Sequence, residues 1–121
     1  TKVNVLFVDD EKELVTTLSE RLTLRGLDAQ WATSAAEALN RLQTESFDIA
    51  VLDVKMPKVD GLLLKKQLQE KCPAMKFIFV TGHGSSQDFA AGASEVGSDY
   101  YLVKPLKIED LIAKIREALQ R

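Results

Sequence analysis

Short β-rich segments alternate with segments of helical periodicity along the whole of this chain. Four are continuous apolar runs and one mixes polar with apolar residues; in chain order they are Val5–Val8, Asp28–Ala32, Ile49–Leu52, Phe77–Val80 and Tyr100–Val103. A continuous apolar run suits a strand that is buried on both faces. Strands that alternate with helices predict a parallel sheet covered by helices on both faces.

The helical segments between these strands have recognisable ends. Gly26 ends the first helix, Ser34 begins a capping-box pattern before the second, and Pro73 closes the third. Residues Gln87–Val96 predict a weak fourth helix, and Ile108–Leu119 predict an amphipathic fifth helix. The chain therefore contains five βα units.

The second strand differs from the other four and indicates the strand order. It carries Asp28 and Gln30, so it should lie at an edge of the sheet, whereas the other strands should be central or well covered. With right-handed crossovers, this pattern favours an α/β fold with a five-stranded parallel sheet in the order 2-1-3-4-5, flanked by five helices. A chain of 121 residues is long enough for one domain with its own core, residues 1–121.

Composition excludes several classes of protein. The 16 basic and 18 acidic residues give a net charge of −2, which argues against direct nucleic-acid binding. The single cysteine, Cys72, excludes an internal disulfide framework and a cysteine-based zinc site. No apolar run approaches the roughly 18 residues of a membrane span, and no signal peptide opens the chain. The sequence thus predicts a cytoplasmic protein without membrane contact.

Polar residues follow four of the predicted strands. Asp9 and Asp10 follow the first strand, Asp53 the third, Thr81 the fourth and Lys104 the fifth. The carboxyl ends of parallel strands lie at one edge of a sheet, where sites form near the reversal of strand order. Two carboxylates at about 4 Å repel by roughly 4 kcal/mol at an effective dielectric of 20, so three crowded aspartates favour either a bound cation or the uptake of a proton. Carboxylate oxygens are the ligands that Mg²⁺ prefers. The ammonium of Lys104 could donate a hydrogen bond to an oxygen of a phosphoryl group.

Each of these residues also has a purely structural interpretation. Asp10 could cap the first helix, with Glu13 completing a capping box. Asp53 could begin a loop, Thr81 could begin a turn, and Lys104 could be a solvated surface charge. The conjunction of these residues at four strand ends favours the metal and phosphoryl interpretation.

In this order, the motifs resemble the receiver domain of bacterial two-component response regulators over essentially the whole chain. The motifs are Asp9-Asp10, Val51-Leu52-Asp53-Val54-Lys55-Met56-Pro57, Asp60-Gly61, Thr81-Gly82-His83-Gly84 and Tyr101-Leu102-Val103-Lys104-Pro105. The resemblance implies a flavodoxin-like, doubly wound three-layer sandwich. It also implies a signalling switch that accepts a phosphoryl group from a phosphohistidine of a sensor kinase.

The resemblance also implies roles at the phosphorylation site. Asp53 would be the phosphoacceptor, a carboxylate nucleophile, and Lys104 would contact the phosphoryl group. Asp10 and Asp53, with the backbone carbonyl of Lys55, would bind Mg²⁺, and Asp9 would reach the metal through water.

Further roles concern switching and the mouth of the site. The resemblance implies that the Thr81 hydroxyl moves onto the phosphoryl group and that an inward rotamer of Tyr101 accompanies this movement. Lys55 and His83 would flank the path of attacking water, which predicts slow self-dephosphorylation; the alternative is that both side chains point into solvent and leave that path open. The Lys104–Pro105 bond resembles the family's cis peptide.

The implied partners are a sensor histidine kinase or phosphotransfer protein and an output domain or downstream protein. The surface that contacts the partner would consist of the fourth helix, the fifth strand and the fifth helix. A dimer that forms on phosphorylation is a further partner that the resemblance allows. The domain would then be no enzyme beyond catalysing its own phosphorylation and slow dephosphorylation.

Two alternative functions stay open at this point. One is a Mg²⁺-dependent phosphohydrolase with Asp53 as nucleophile, although Lys55 stands where such an enzyme needs an acid/base carboxylate. The other is a receiver-like interaction module that is never phosphorylated, against which the retained acidic, hydroxyl and lysine residues argue.

Overall fold

The computed structural model describes residues 2–53, 55–56, 59–81 and 101–120, with the backbone alone at 55–56, 59–62 and 81. Five parallel strands form the main sheet: β1 (Asn4–Val8), β2 (Asp28–Ala32), β3 (Ile49–Asp53), β4 (Lys76–Thr81) and β5 (Tyr101–Val103). Their spatial order is β2-β1-β3-β4-β5, which confirms the predicted order and the predicted edge position of β2.

Four helices lie in the described ranges: α1 (Lys12–Leu24), α2 (Ala35–Arg41), α3 (Gly61–Lys71) and α4 (Ile108–Leu119). Helix α4 is the fifth helix that the sequence predicts. The predicted fourth helix at Gln87–Val96 and the predicted site-flanking His83 lie outside the described residues. Among the helices described here, none is long and apolar enough to cross a membrane.

The ends of the helices follow local signals, with one exception. Gly26 adopts a φ of 93°, a left-handed conformation that glycine tolerates, directly after α1. Ser34 caps α2, and its Oγ accepts a hydrogen bond from the backbone N–H of Glu37 at 3.2 Å. Helix α1 instead has Glu11 at its N-cap, without a capping hydrogen bond from the side chain. The interpretation of Asp10 as the cap of this helix is therefore wrong.

The hydrophobic core lies on both faces of the sheet, because successive side chains of a strand point to opposite faces. On one face, strand residues pack with α2 and α3 in a cluster that includes Leu6, Leu52, Phe79, Ala38 and Leu64. On the other face, strand residues pack with α1 and α4 in a cluster that includes Phe7, Val51, Ile78, Leu22 and Leu111. Each fully buried large side chain contributes about 1.5–3 kcal/mol, so these clusters fix the strand ends relative to one another.

The free edge of β2 is covered by an arginine. Backbone groups of Asp28 and Ala32 bond towards β1, so the carbonyl of Trp31 faces outward. Arg41 Nε donates a hydrogen bond of 2.6 Å to this carbonyl. Its guanidinium carbon and the ammonium of Lys12 lie 6.0 and 5.8 Å from the centroid of the Trp31 ring. The arginine therefore occupies an acceptor that an added strand would use.

A second, two-stranded sheet is present that the sequence pattern does not predict. Lys55–Met56 and Val59–Asp60 pair antiparallel and connect β3 to α3. Strands of two residues are too short to show the alternation that indicates a strand.

Candidate functional site

The register of the strands brings the predicted site residues to one edge of the sheet. The pairs that fix this register are Val8 with Leu52, Asp53 with Val80, and Thr81 with Val103. Asp9 therefore leaves β1 beside Asp53 at the end of β3, and Lys104 follows β5 beside the end of β4. The sheet itself assembles the site from distant parts of the chain.

Three aspartates form an acidic cluster at this edge. Each of Asp9, Asp10 and Asp53 offers one carboxylate oxygen, and these oxygens all lie within 4.8 Å of one another. Asp9 is 0% and Asp53 5% exposed, whereas Asp10 is exposed to solvent. The cluster thus has a buried floor and one carboxylate at its mouth.

Lys104 places its ammonium within this cluster. Its Nζ lies 2.8 Å from Asp9 Oδ2, 2.8 Å from Glu11 Oε1 and 3.4 Å from Asp53 Oδ2. Burial works to lower the pKa of Lys104, but its contacts with Asp9 and Glu11 outweigh burial and raise that pKa above its usual value. The side chain therefore remains a cation.

The buried Asp9 carboxyl is the most perturbed acid of the cluster. Burial raises its pKa from 3.8 to about 6, while Lys104 and the backbone N–H of Glu11, which donates to Oδ1 at 3.0 Å, act in the opposite direction. The ammonium of Lys104 lies 2.8 Å from Oδ2 and forms an ion pair with this oxygen. The charge of this buried carboxylate is therefore balanced in the resting domain by the Lys104 ammonium.

These observations fit a hard cation at the acidic cluster. Three carboxylates, two of them buried, share one small region, so the negative charge there exceeds the single charge of Lys104. Hard divalent cations take oxygen ligands of this kind. The cluster is thus suited in composition and burial to hold a metal ion.

The other predicted site residues lie around the same edge or outside the described ranges. Thr81 ends β4, and Lys55 lies in the short ribbon two positions after Asp53. Tyr101 begins β5 and is buried, with its ring centroid 5.6 Å from that of Phe79. The bond between Lys104 and Pro105 is cis, as predicted. The structure brings these backbones to the site, while the roles assigned to the residues stay predictions.

Glu11 is a site residue that the sequence interpretation missed. It directly follows Asp9 and Asp10, and such an acid is usually attributed to the start of a helix. Its carboxylate instead contacts Lys104, which is 93 positions away in the chain. The consecutive acids Asp9, Asp10 and Glu11 are the only local signal of this arrangement.

Comparison with known proteins identifies the class to which this fold and site belong. The family model described as "Response regulator receiver domain" matches residues 5–116. The chain is 35% identical over 117 residues to the alkaline phosphatase synthesis transcriptional regulatory protein PhoP of Bacillus subtilis, covering 97% of this chain and 48% of PhoP. It is 34% identical over 119 residues to the response regulator MprA of Mycobacterium bovis, covering 98% of this chain and 51% of MprA. The chain spans about half the length of these curated relatives.

Solved structures give the same result. The response regulator receiver domain protein (CheY-like) of Methanospirillum hungatei has a TM-score of 0.86 and 31% identity, with 99% of this chain and 95% of that chain covered. A response regulator protein of Burkholderia pseudomallei, solved with a phosphorylated aspartic acid, calcium ion and citrate, has a TM-score of 0.80 and 29% identity, with 99% and 75% covered. Response regulator receiver domains are signalling switches rather than classical enzymes. The chain belongs to the response regulator receiver domain family.

Proposed function

We propose that this domain, over residues 1–121, accepts a phosphoryl group on Asp53 from the phosphohistidine of a sensor kinase. The observation that carries the proposal is the position of Asp53, which lies within 4.8 Å of two further carboxylates and 3.4 Å from the Lys104 ammonium. A carboxylate nucleophile needs neighbouring cations, because the incoming phosphoryl group adds negative charge to an already acidic site.

The transfer would be an in-line displacement at phosphorus. A carboxylate oxygen of Asp53 forms the new P–O bond while the P–N bond to the donor imidazole breaks. The electron pair of the P–N bond leaves with the imidazole, which takes up a proton. Lys104 then donates a charge-assisted hydrogen bond to a phosphoryl oxygen.

The cation we propose is Mg²⁺, held by Asp10, Asp53 and the backbone carbonyl of Lys55, with Asp9 acting through water. When bound, it would neutralise the negative charge that develops on the phosphoryl oxygens. The acidic cluster supports this proposal, as does the Burkholderia relative, which was solved with a phosphorylated aspartic acid and a calcium ion. The residues of this chain would contribute the orientation of the nucleophile and the counter-charge of Lys104.

The proposed switch consists of Thr81, whose hydroxyl would move onto the phosphoryl group, and Tyr101, whose inward rotamer would accompany this movement. In the parallel pair of β4 and β5, Tyr101 lies opposite Phe79, two residues before Thr81, and this proximity supports coupling between Thr81 and Tyr101. The proposed recipient of the signal is an output domain or downstream protein, and PhoP is a transcriptional regulatory protein by name. The proposed contact surface is the predicted fourth helix with β5 and α4, and a phosphorylation-linked dimer is one form it could take.

The catalysis proposed for the domain is limited to its own phosphorylation and a slow dephosphorylation. Lys55 and His83 are proposed to flank the path of attacking water. A cytoplasmic location, where a sensor kinase would donate the phosphoryl group, belongs to the same proposal.

Labelling with acetyl phosphate and saturating Mg²⁺, followed by peptide mapping, tests the proposed function. The parent should gain one phosphoryl group at Asp53, and Asp53→Asn should gain none, because an amide oxygen is a poor nucleophile. Asp28→Asn, an exposed aspartate on the edge strand, is the matched control and should be labelled like the parent. Full labelling of Asp53→Asn at another residue would contradict the site. Rapid phosphate release from small esters would instead indicate a hydrolase.

A further inference from the structure

We infer that Glu11 is a positioning residue that retains Lys104 in the resting domain and gives up this contact when Asp53 is phosphorylated. The inference rests on the proposed function, since it concerns a contact that stabilises the resting conformation relative to the phosphorylated one.

The geometry of the ammonium gives the first argument. Lys104 Nζ lies 2.8 Å from Glu11 Oε1 but 3.4 Å from Asp53 Oδ2. The ammonium is therefore held more closely by Glu11 than by the phosphoacceptor. The contact with Asp53 is the longest of its three ion pairs, on the side where a phosphoryl group would add negative charge.

The position of Glu11 in the chain gives the second argument. Glu11 is the N-cap residue of α1, a position where Ser, Thr, Asp or Asn would bond to the first turn. The Glu11 carboxylate makes no such bond and reaches Lys104 instead. Its backbone N–H donates to Asp9 Oδ1, which fixes the start of α1 beside the acidic cluster. The residue thus forgoes a helix cap and makes a contact across the site.

Exposure decides which contact Lys104 gives up. Asp9 has no exposed surface, so separating it from the ammonium would leave a buried charge without a partner. The Glu11 side chain is 61% exposed, so water replaces the ammonium at little cost. Lys104 can therefore turn towards a phosphoryl oxygen by leaving Glu11 while keeping Asp9. The contact between Glu11 and Lys104 would then stabilise only the resting conformation. Removing this contact should shift the equilibrium towards the conformation of the phosphorylated domain.

The affinity of a phosphoryl mimic tests this consequence. Beryllofluoride is titrated into the parent, Glu11→Gln and Glu13→Gln with Mg²⁺ saturating for each protein. Glu13 is an exposed acid in the first turn of α1, so its substitution removes the same charge without the contact to Lys104. Glu11→Gln should bind the mimic about two- to fivefold more tightly, the range of an exposed ion pair, and Glu13→Gln should match the parent.

The outcomes separate the inference from the proposed function. Equal affinity of the parent and Glu11→Gln, or an equal gain in both glutamine variants, would overturn the role of Glu11 alone. Failure of the parent itself to bind beryllofluoride would overturn the proposed function.

The side-chain ammonium signal of Lys104 in ¹H–¹⁵N spectra gives a readout that general charge or stability would not reproduce. Glu11→Gln should shift this signal in the resting domain, because a direct contact is lost. With beryllofluoride bound, the signals of the parent and the variant should coincide, because the contact is then absent from both. A shift of the same size in both states, or none in the resting state, would contradict the inference.

Discussion

Lys104 Nζ lies 2.8 Å from Oδ2 of Asp9, a carboxylate with no surface exposed to solvent. This ion pair joins the end of β1 to the residue that follows β5, so it connects strands at opposite sides of the sheet centre. Burial makes Asp9 costly to ionise, and the ammonium of Lys104 offsets part of that cost. The same pair therefore determines how the resting domain responds to pH, metal ions and substitution.

The first prediction concerns pH. Burial raises the pKa of Asp9 in the folded state from its ordinary value of 3.8 to about 6, so the folded state holds this proton more tightly than the unfolded state. The contribution of Asp9 to the free energy of unfolding should therefore fall as the pH rises from about 4 to about 6, because the folded state loses this proton later than the unfolded state. The measurement is the free energy of unfolding in urea, determined at several pH values without divalent cations for the parent and for Asp9→Asn. A difference between the two proteins that does not change with pH would contradict the assignment.

The second prediction concerns the metal. Asp10→Asn should weaken Mg²⁺ binding by removing a ligand, and should raise the stability of the metal-free domain by removing a like charge from the cluster. The measurement is the midpoint of thermal unfolding against Mg²⁺ concentration, with Asp28→Asn as the control. If Asp10→Asn keeps the Mg²⁺ dependence of the parent, Asp10 is not a ligand.

The third prediction concerns the counter-charge. Lys104→Met should lower the free energy of unfolding by about 1–3 kcal/mol near neutral pH, because Asp9 is left buried without its cation. The loss should be smaller near pH 4, where Asp9 carries a proton in the folded state. Lys66→Met, at an exposed position of α3, is the control. Equal stabilities of the two variants at neutral pH would show that the ion pair contributes nothing.

The fourth prediction concerns the edge of β2. Arg41→Ala removes the N–H that bonds to the outward carbonyl of Trp31, so we expect a loss of about 1 kcal/mol in unfolding free energy. The uncovered edge should also promote self-association that increases with concentration. Sedimentation measures the association, and the fluorescence of the single tryptophan, Trp31, reports the local change. Arg21→Ala, at an exposed position of α1, should leave both unchanged.

Much of the fold is predictable because the strands carry a strong signal. The apolar runs around Leu6, Val51 and Ile78 are buried throughout and form the centre of the sheet, as their composition predicts. The polar residues of β2 likewise place it at an edge. Once the strand order is known, the convergence of the site residues follows from parallel topology alone.

The details that escape prediction depend on contacts between distant residues. The choice between Asp10 and Glu11 as N-cap of α1 is not set by local preference, because the Glu11 carboxylate finds Lys104 only in the folded sheet. The burial of Asp9 beside an exposed Asp10 is likewise a tertiary effect, since the two residues are chemically identical neighbours. The two-residue strands at Lys55 and Val59 carry no periodicity at all.

The ion pairs of Lys104 span 93 residues to Glu11 and 51 residues to Asp53. An unfolded chain keeps such groups far apart, so a ligand of the cluster has little to bind until β1, β3 and β5 lie in one sheet. Contacts of this range are characteristic of slowly assembling parallel sheets. Mg²⁺ and phosphoryl mimics should therefore lengthen the lifetime of the folded domain by slowing its unfolding, while leaving the rate of refolding nearly unchanged.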